Sequence, residues 1–195
     1  MAKNARYRLP YRRRREQKTD YQARRILATS TEPRLVVRAS NRGIVAQVIK
    51  AEIDGDRVIT QAASKELTAK YGWQGSGKNI PAGYLLGMIA GHKAVEAGIE
   101  SAYLDLGLKR PTKGSKVFAV VKGAIDAGLN VPCDSDIIPP PERLNGGDIA
   151  AYAKGADPEV YEKVFSVYLR HGMRPEGLPD HFEETKKKIK EDWSK

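Results

Sequence analysis

Beyond residue 33 the apolar positions fall into three runs of strand length, 35–38, 44–52 and 57–62, separated by residues that bend a backbone easily. The separators are Ser40-Asn41-Arg42-Gly43 and Asp54-Gly55-Asp56. Gly, Asn and Asp tolerate left-handed conformations, and connections this short join neighbouring antiparallel strands, so the runs predict a three-strand meander. In the second run Ile44, Ala46 and Val48 share one face while Val45, Gln47 and Ile49 share the other. With both faces largely apolar, that strand is expected inside the sheet.

The period then changes. Residues 65–71 predict a short helix that leads into a glycine-rich loop, 72–77. Asn79 has the character of an N-cap, Pro81 falls in the first turn after it, and Leu85, Met88, Ile89 and Val95 recur at helical spacing as a stripe for the sheet. A short buried strand is expected at 102–106, then a second long helix capped by Ser115, carrying Val117, Phe118, Val121, Ala124 and Ile125, and stopped by Gly128. The order β-β-β-α-α-β-α specifies an α/β layer fold with a mixed sheet. Pro139-Pro140-Pro141 reads as a linker that ends this core, with helical segments following near 147–154, 158–170 and 181–193. In the last of these, Glu183 with Lys187 and Glu184 with Lys188 stand four apart, which makes a solvated face. The chain thus divides into an arm (1–32), an α/β core domain (33–138) and a helical C-terminal extension (139–195).

Composition sharpens the arm. The 195 residues suit one domain with extensions, and 41% hydrophobic with only 7% aromatic residues implies an aliphatic core. Of the net charge of +10, residues 1–25 hold +8, from ten basic side chains against Glu16 and Asp20. Such a segment cannot bury itself and calls for a polyanion. A membrane-surface helix needs a wide apolar face, which Tyr7, Leu9, Tyr11 and Tyr21 do not supply, so nucleic acid is preferred. Arginines outnumber lysines eight to two there, as suits bidentate phosphate contacts, and the interspersed tyrosines offer stacking surfaces. No apolar run reaches the ~20 residues of a bilayer span, and no secretory signal is legible, so a soluble, cytoplasmic protein is expected. A single cysteine, Cys133, excludes an intrachain disulfide and a thiolate metal cluster.

Catalytic readings fare poorly. Residues 72–79 nearly match the phosphate loop G-x-x-x-x-G-K-[ST], but Asn79 replaces the hydroxyl that binds magnesium, and a helix rather than a strand precedes it. A nuclease on this sheet needs several converging carboxylates, of which only Asp105 is well placed; Glu52 and Asp54 lie near a turn. His92, on the apolar stripe, reads as a hydrogen-bonded residue at the core edge, and no nucleophile elbow surrounds Ser115. No cofactor or metal is implied.

A binding surface is better supported. Arm residues Arg6, Arg8, Tyr11, Arg12, Arg13, Arg14, Arg15, Lys18, Tyr21, Arg24 and Arg25 are joined by the first hairpin, with Arg34, Arg38, Ser40, Asn41 and Arg42. A second basic loop, holding Lys109, Arg110 and Lys113, ends where a helix begins and suits a phosphate. Without a helix-turn-helix, zinc finger or basic zipper, RNA is a better partner than duplex DNA.

Several ordered motifs carry a resemblance: Arg12-Arg13-Arg14-Arg15-Glu16 with Thr19-Asp20-Tyr21, Pro33-Arg34-Leu35-Val36-Val37-Arg38 with Ser40-Asn41, Leu104-Asp105-Leu106-Gly107, and Gly114-Ser115-Lys116-Val117-Phe118-Ala119 before Gly123-Ala124-Ile125-Asp126-Ala127-Gly128-Leu129. From about residue 7 to residue 132 the chain resembles the 5S-ribosomal-RNA-binding large-subunit proteins, universal ribosomal protein eighteen, in the archaeal form related to eukaryotic large-subunit protein five. The resemblance implies a ribonuclease-H-like sheet of the translational-machinery type without nuclease activity. It further implies a structural role in the large ribosomal subunit, holding 5S rRNA in the central protuberance and joining it to the large rRNA beside neighbouring ribosomal proteins. A non-ribosomal RNA chaperone and an RNA-processing nuclease are the alternatives.

Overall fold

A computed structural model describes residues 4–193. β1 (Arg34–Ala39), β2 (Ile44–Glu52), β3 (Gly55–Ala63) and β4 (Tyr103–Asp105) form one sheet in the order β3-β2-β1-β4. The first three are antiparallel neighbours with β2 inside, as the apolar pattern requires, and β4 runs parallel to β1, Val36 opposite Asp105. A parallel neighbour needs a crossover, which α3 (Ser64–Tyr71) and α4 (Ile80–Glu96) provide. The mixed α/β architecture is therefore the one the element order specified.

α4 and α5 (Lys116–Asp126) cover one face of the sheet, where Leu35, Val37, Ile44, Ala46, Val48 and Ala62 are buried. A methyl group on Gly87 would overlap the backbone of Val120, and one on Gly123 that of Tyr84. Glycine at both positions lets the helices meet backbone to backbone. Asn79 caps α4 as expected, its Oδ1 accepting from the Ala82 N–H at 2.9 Å. Two details differ. Val95 is exposed and the stripe continues through buried Ala94. Ser115 occupies the cap of α5 but its hydroxyl makes no capping bond; its carbonyl accepts from Phe118 and Ala119 instead.

The core does not end at the proline run. Pro141 is the first residue of α6 (Pro141–Asn145), a position where a fixed φ and a missing N–H cost nothing. α7 (Gly147–Gly155), α8 (Pro158–Val164), α9 (Ser166–Arg170) and α10 (Leu178–Asp192) follow, and Leu144, Ala153, Phe165, Leu178, Phe182 and Ile189 join the buried cluster of the sheet. The three prolines thus lead into packed structure rather than spacing it away, and the helix expected at 158–170 is broken at Phe165. Among the described residues no helix is long and apolar enough to cross a membrane.

Two histidines of the extension grip the glycine-rich loop. The Gln74 N–H donates to His181 Nε2 at 3.0 Å, the Gln74 carbonyl lies 3.1 Å from His171 Nδ1, and the His181 ring stacks on Trp73. The near-match to a phosphate loop therefore follows a helix and has backbone groups already engaged. His92 differs from expectation: it stacks on Trp193, and its buried Nε2 has no hydrogen-bond partner among the described residues. Burial pushes both His181 and His92 below the ordinary imidazole value of 6.5; Glu184 opposes the shift at His181, and Lys190 adds to it at His92. As pH falls, the unfolded chain then takes up these protons first, so the stability they contribute is complete above about 6.5 and lost below it. The melting temperature is expected to drop between about pH 7 and pH 5, and to drop less in His181→Gln, which keeps an acceptor but does not titrate. Identical pH dependence in the two proteins would show that folding does not hold His181 below its ordinary imidazole value.

Candidate nucleic-acid interface

The arm carries two helices that the apolar pattern did not single out, α1 (Arg12–Arg15) and α2 (Tyr21–Thr29). Asp20 starts α2: its Oδ1 accepts from the N–H groups of Gln22 at 2.9 Å and Ala23 at 3.2 Å. Strand alternation turns Arg34, Val36 and Arg38 to the face opposite α4 and α5, and α2 lies against β2. The arm therefore covers part of the sheet's second face, around Arg34 and Val36, while Val58 and Gln61 of β3 stay exposed there.

A row of alternating charges fastens α2 there. Arg24 makes a two-pronged contact with Asp56, at 2.9 and 3.1 Å. Asp56 Oδ2 also lies 2.9 Å from Arg34 Nη2, and Arg34 Nη1 donates to Asp105 Oδ2 at 3.1 Å. Asp105 Oδ1 completes the row by accepting from Arg38 Nη2 at 3.3 Å and from the Gly107 N–H at 2.7 Å. Burial on its own would raise the Asp56 carboxyl, but the hydrogen bonds from Arg24 and Arg34 outweigh it and hold the group below the usual carboxylate range. Asp56 in return raises the Arg24 guanidinium. Order in α2 consequently has a source within the chain.

Several expected contact residues have other employment. Arg34 is only 2% exposed, so the place expected for it on the binding surface is corrected: it is the buried centre of the charge row, with Nε lacking an acceptor. Arg24 is tied to Asp56. The Ser40 hydroxyl shapes the β1–β2 turn, accepting from the N–H groups of Arg42 and Gly43 and donating to the Gly43 carbonyl. Asp105, the one acid placed for nuclease chemistry, has both oxygens occupied by Arg34, Arg38 and Gly107.

The others stand in solvent. Arg6, Arg8, Tyr11, Arg14, Arg15 and Arg25 are exposed in the arm, and Asn41, Arg42, Arg110 and Lys113 in the loops. Arg12 and Lys18 share Glu16, at 3.0 and 2.9 Å, while Arg13 Nε donates to Thr19 Oγ1 at 2.7 Å. Exposed pairs of this kind contribute little and yield readily to a phosphate. Tyr21 packs against Tyr11, ring centres 5.1 Å apart. Lys109 Nζ donates to the Ala39 carbonyl at 2.7 Å, drawing the loop after β4 to the end of β1.

Between α2 and β4 these groups enclose a cleft of about 860 Å³. Six basic side chains line it against Asp20, Asp56 and Asp105, a net +3, over a surface of Leu27, Leu104, Leu106 and Leu108. Sequence reasoning missed the leucines, which look like ordinary strand and loop positions. Outside the cleft, Lys116 ends the second basic loop, as the sequence placed it. Its ammonium is pushed down by burial and by the nearby Lys109 and Lys78, a crowding of like charge that suits an anion. Among the described residues no cluster of three or more His, Cys, Asp or Glu is arranged to hold a metal ion.

A family model described as "Ribosomal large subunit proteins 60S L5, and 50S L18" matches residues 5–100 and 95–134, which takes in the arm, the sheet and both long helices. The chain belongs to this ribosomal protein family. It is 51% identical over 198 residues to the protein named "Large ribosomal subunit protein uL18" of Caldivirga maquilingensis, covering 100% of the chain and 96% of that relative. With the protein of the same name from Ignicoccus hospitalis it shares 50% identity over 196 residues, 99% of the chain and 96% of the relative. The motifs quoted above therefore led to the right family and to the archaeal form. Similarity to both relatives also spans the extension, beyond the residues that the family model matches.

Proposed function

We propose that the protein is a non-catalytic constituent of the large ribosomal subunit that binds 5S rRNA with its arm and attaches it to the large rRNA in the central protuberance. The observation that carries this reading is the cluster of exposed guanidinium groups from Arg6 to Arg25, standing beside a positively charged cleft in a chain of this family. In the proposed division of labour, residues 1–32 grip RNA, 33–138 form the platform, and 139–195 face the large rRNA or neighbouring large-subunit proteins. Its place of action is the cytoplasmic ribosome.

Competition binding tests the reading: the full chain is expected to prefer 5S rRNA to an unrelated RNA of equal length by at least about tenfold at one fixed salt concentration. Equal affinity would favour a general RNA chaperone. Magnesium-dependent cleavage of RNA, lost in Asp105→Asn, would favour a nuclease.

A further inference from the structure

The guanidinium of Arg38 is held flat and half-exposed at the edge of the cleft. Nη1 donates to the carbonyl oxygens of Val37 at 3.1 Å and Asp105 at 3.0 Å, and Nη2 reaches Asp105 Oδ1. A methyl group built on Gly107 would stand 3.2 Å from Cζ and 3.3 Å from each terminal nitrogen. Such nearly equal distances put that position over the flat face of the guanidinium, not at its rim. Gly107 has φ +62°, where a side chain is disfavoured, so the loop can back the guanidinium this closely. Even so, the Arg38 side chain remains 48% exposed.

We propose that the cleft receives one unpaired ribonucleotide of the bound RNA, its base stacked on the Arg38 guanidinium and its phosphates held by Arg13, Lys18 and Lys109. This rests on the RNA-binding reading above and adds the class of nucleotide and the side chain that takes it. Three N–H donors of Arg38 are already engaged, so what it presents to a ligand is chiefly its plane, and planar guanidinium groups stack on splayed-out bases. Leu106 and Leu108 supply apolar surface beside that plane. Arg13, Lys18 and Lys109 keep donors that face no buried carboxylate, since their partners are Thr19, the exposed Glu16 and a carbonyl. The volume falls within the roughly 300–1,000 Å³ typical of small-ligand pockets. A base inside a duplex has its faces covered by its neighbours, so only a bulged or looped-out base fits this chemistry.

The test uses the full chain and three RNA probes at one salt concentration: a hairpin with a single-nucleotide bulge, the same hairpin fully paired, and the bulged hairpin with an abasic ribose at the bulge. Fluorescence anisotropy is expected to show the bulged probe bound about tenfold more tightly than either of the others, the usual scale of one base stacked on a planar side chain. Arg38→Lys keeps the charge and removes the plane, and should reduce that preference to about threefold or less. Leu108→Glu, at an exposed position, should do the same without involving the charge row. Equal binding of all three probes by the unaltered chain overturns the proposal while leaving RNA binding intact. Failure to bind any of them at low salt also overturns the proposal, and failure to bind 5S rRNA under the same conditions overturns the RNA-binding reading beneath it.

Discussion

Asp105→Ala is expected to lower the melting temperature by roughly 6–12 °C. The Arg34 guanidinium is buried, and removing Asp105 leaves it with Asp56 alone. Breaking a buried ion pair by deleting one partner costs about 3–5 kcal/mol, chiefly because the surviving charge has no water to turn to. Asp56 still offsets part of the charge, so the lower end, about 3 kcal/mol, applies, and about 2–4 °C is lost per kcal/mol in a domain of this size. Asp56→Ala should cost less, because that side chain is 28% exposed and water can replace it. Its distinctive effect lies elsewhere: with Arg24 unfastened, α2 should open, and trypsin should cut at Arg24 or Arg25 faster than in the unaltered chain. A thermal loss of less than about 2 °C in Asp105→Ala would mean that the buried Arg34 charge does not depend on Asp105, and unchanged trypsin cutting in Asp56→Ala would mean that the charge row does not anchor the arm.

Deleting residues 1–19 should reduce the slope of log affinity against log salt by about 3 for RNA binding. Each neutralised phosphate releases condensed counterions worth about 0.7–0.9 of slope, and the segment holds enough free cations, among them Arg14 and Arg15, to engage about four phosphates. The cut stops before Asp20 because α2 belongs to the packed structure; a longer deletion would mix lost charge with lost stability. Binding isotherms across about 50–200 mM salt measure the slope. An unchanged slope would show that the arm is not the principal grip.

The meander, the inside position of β2 and the cap at Asn79 were all legible because each is fixed by neighbours in sequence: a turn, a period, a cap. The charge row was not. Arg24, Asp56, Arg34 and Asp105 are brought together only by strand pairing and by the seating of α2, and no spacing rule connects them. An arginine-rich string therefore reads uniformly as RNA-contacting, although Arg34 lies inside and Arg24 is engaged. The start of α2 did leave a local mark, Asp20 ahead of a helix-compatible stretch, which the charge of the arm overshadowed. The run Pro139-Pro140-Pro141 misled in the opposite sense, since proline breaks a helix from within and also opens one at its first residue.

Fastening α2 at Arg24 makes the chain before Asp20 a tether with a fixed root. The sixteen described residues before Asp20 span about 55 Å when stretched, and much less when coiled. Once the cleft holds any part of a partner, the tethered cations are confined near it at an effective concentration in the millimolar range, so later contacts form as intramolecular events. Lengthening the tether between Lys18 and Thr19, ahead of the Asp20 cap, should slow this zippering without altering a single charge.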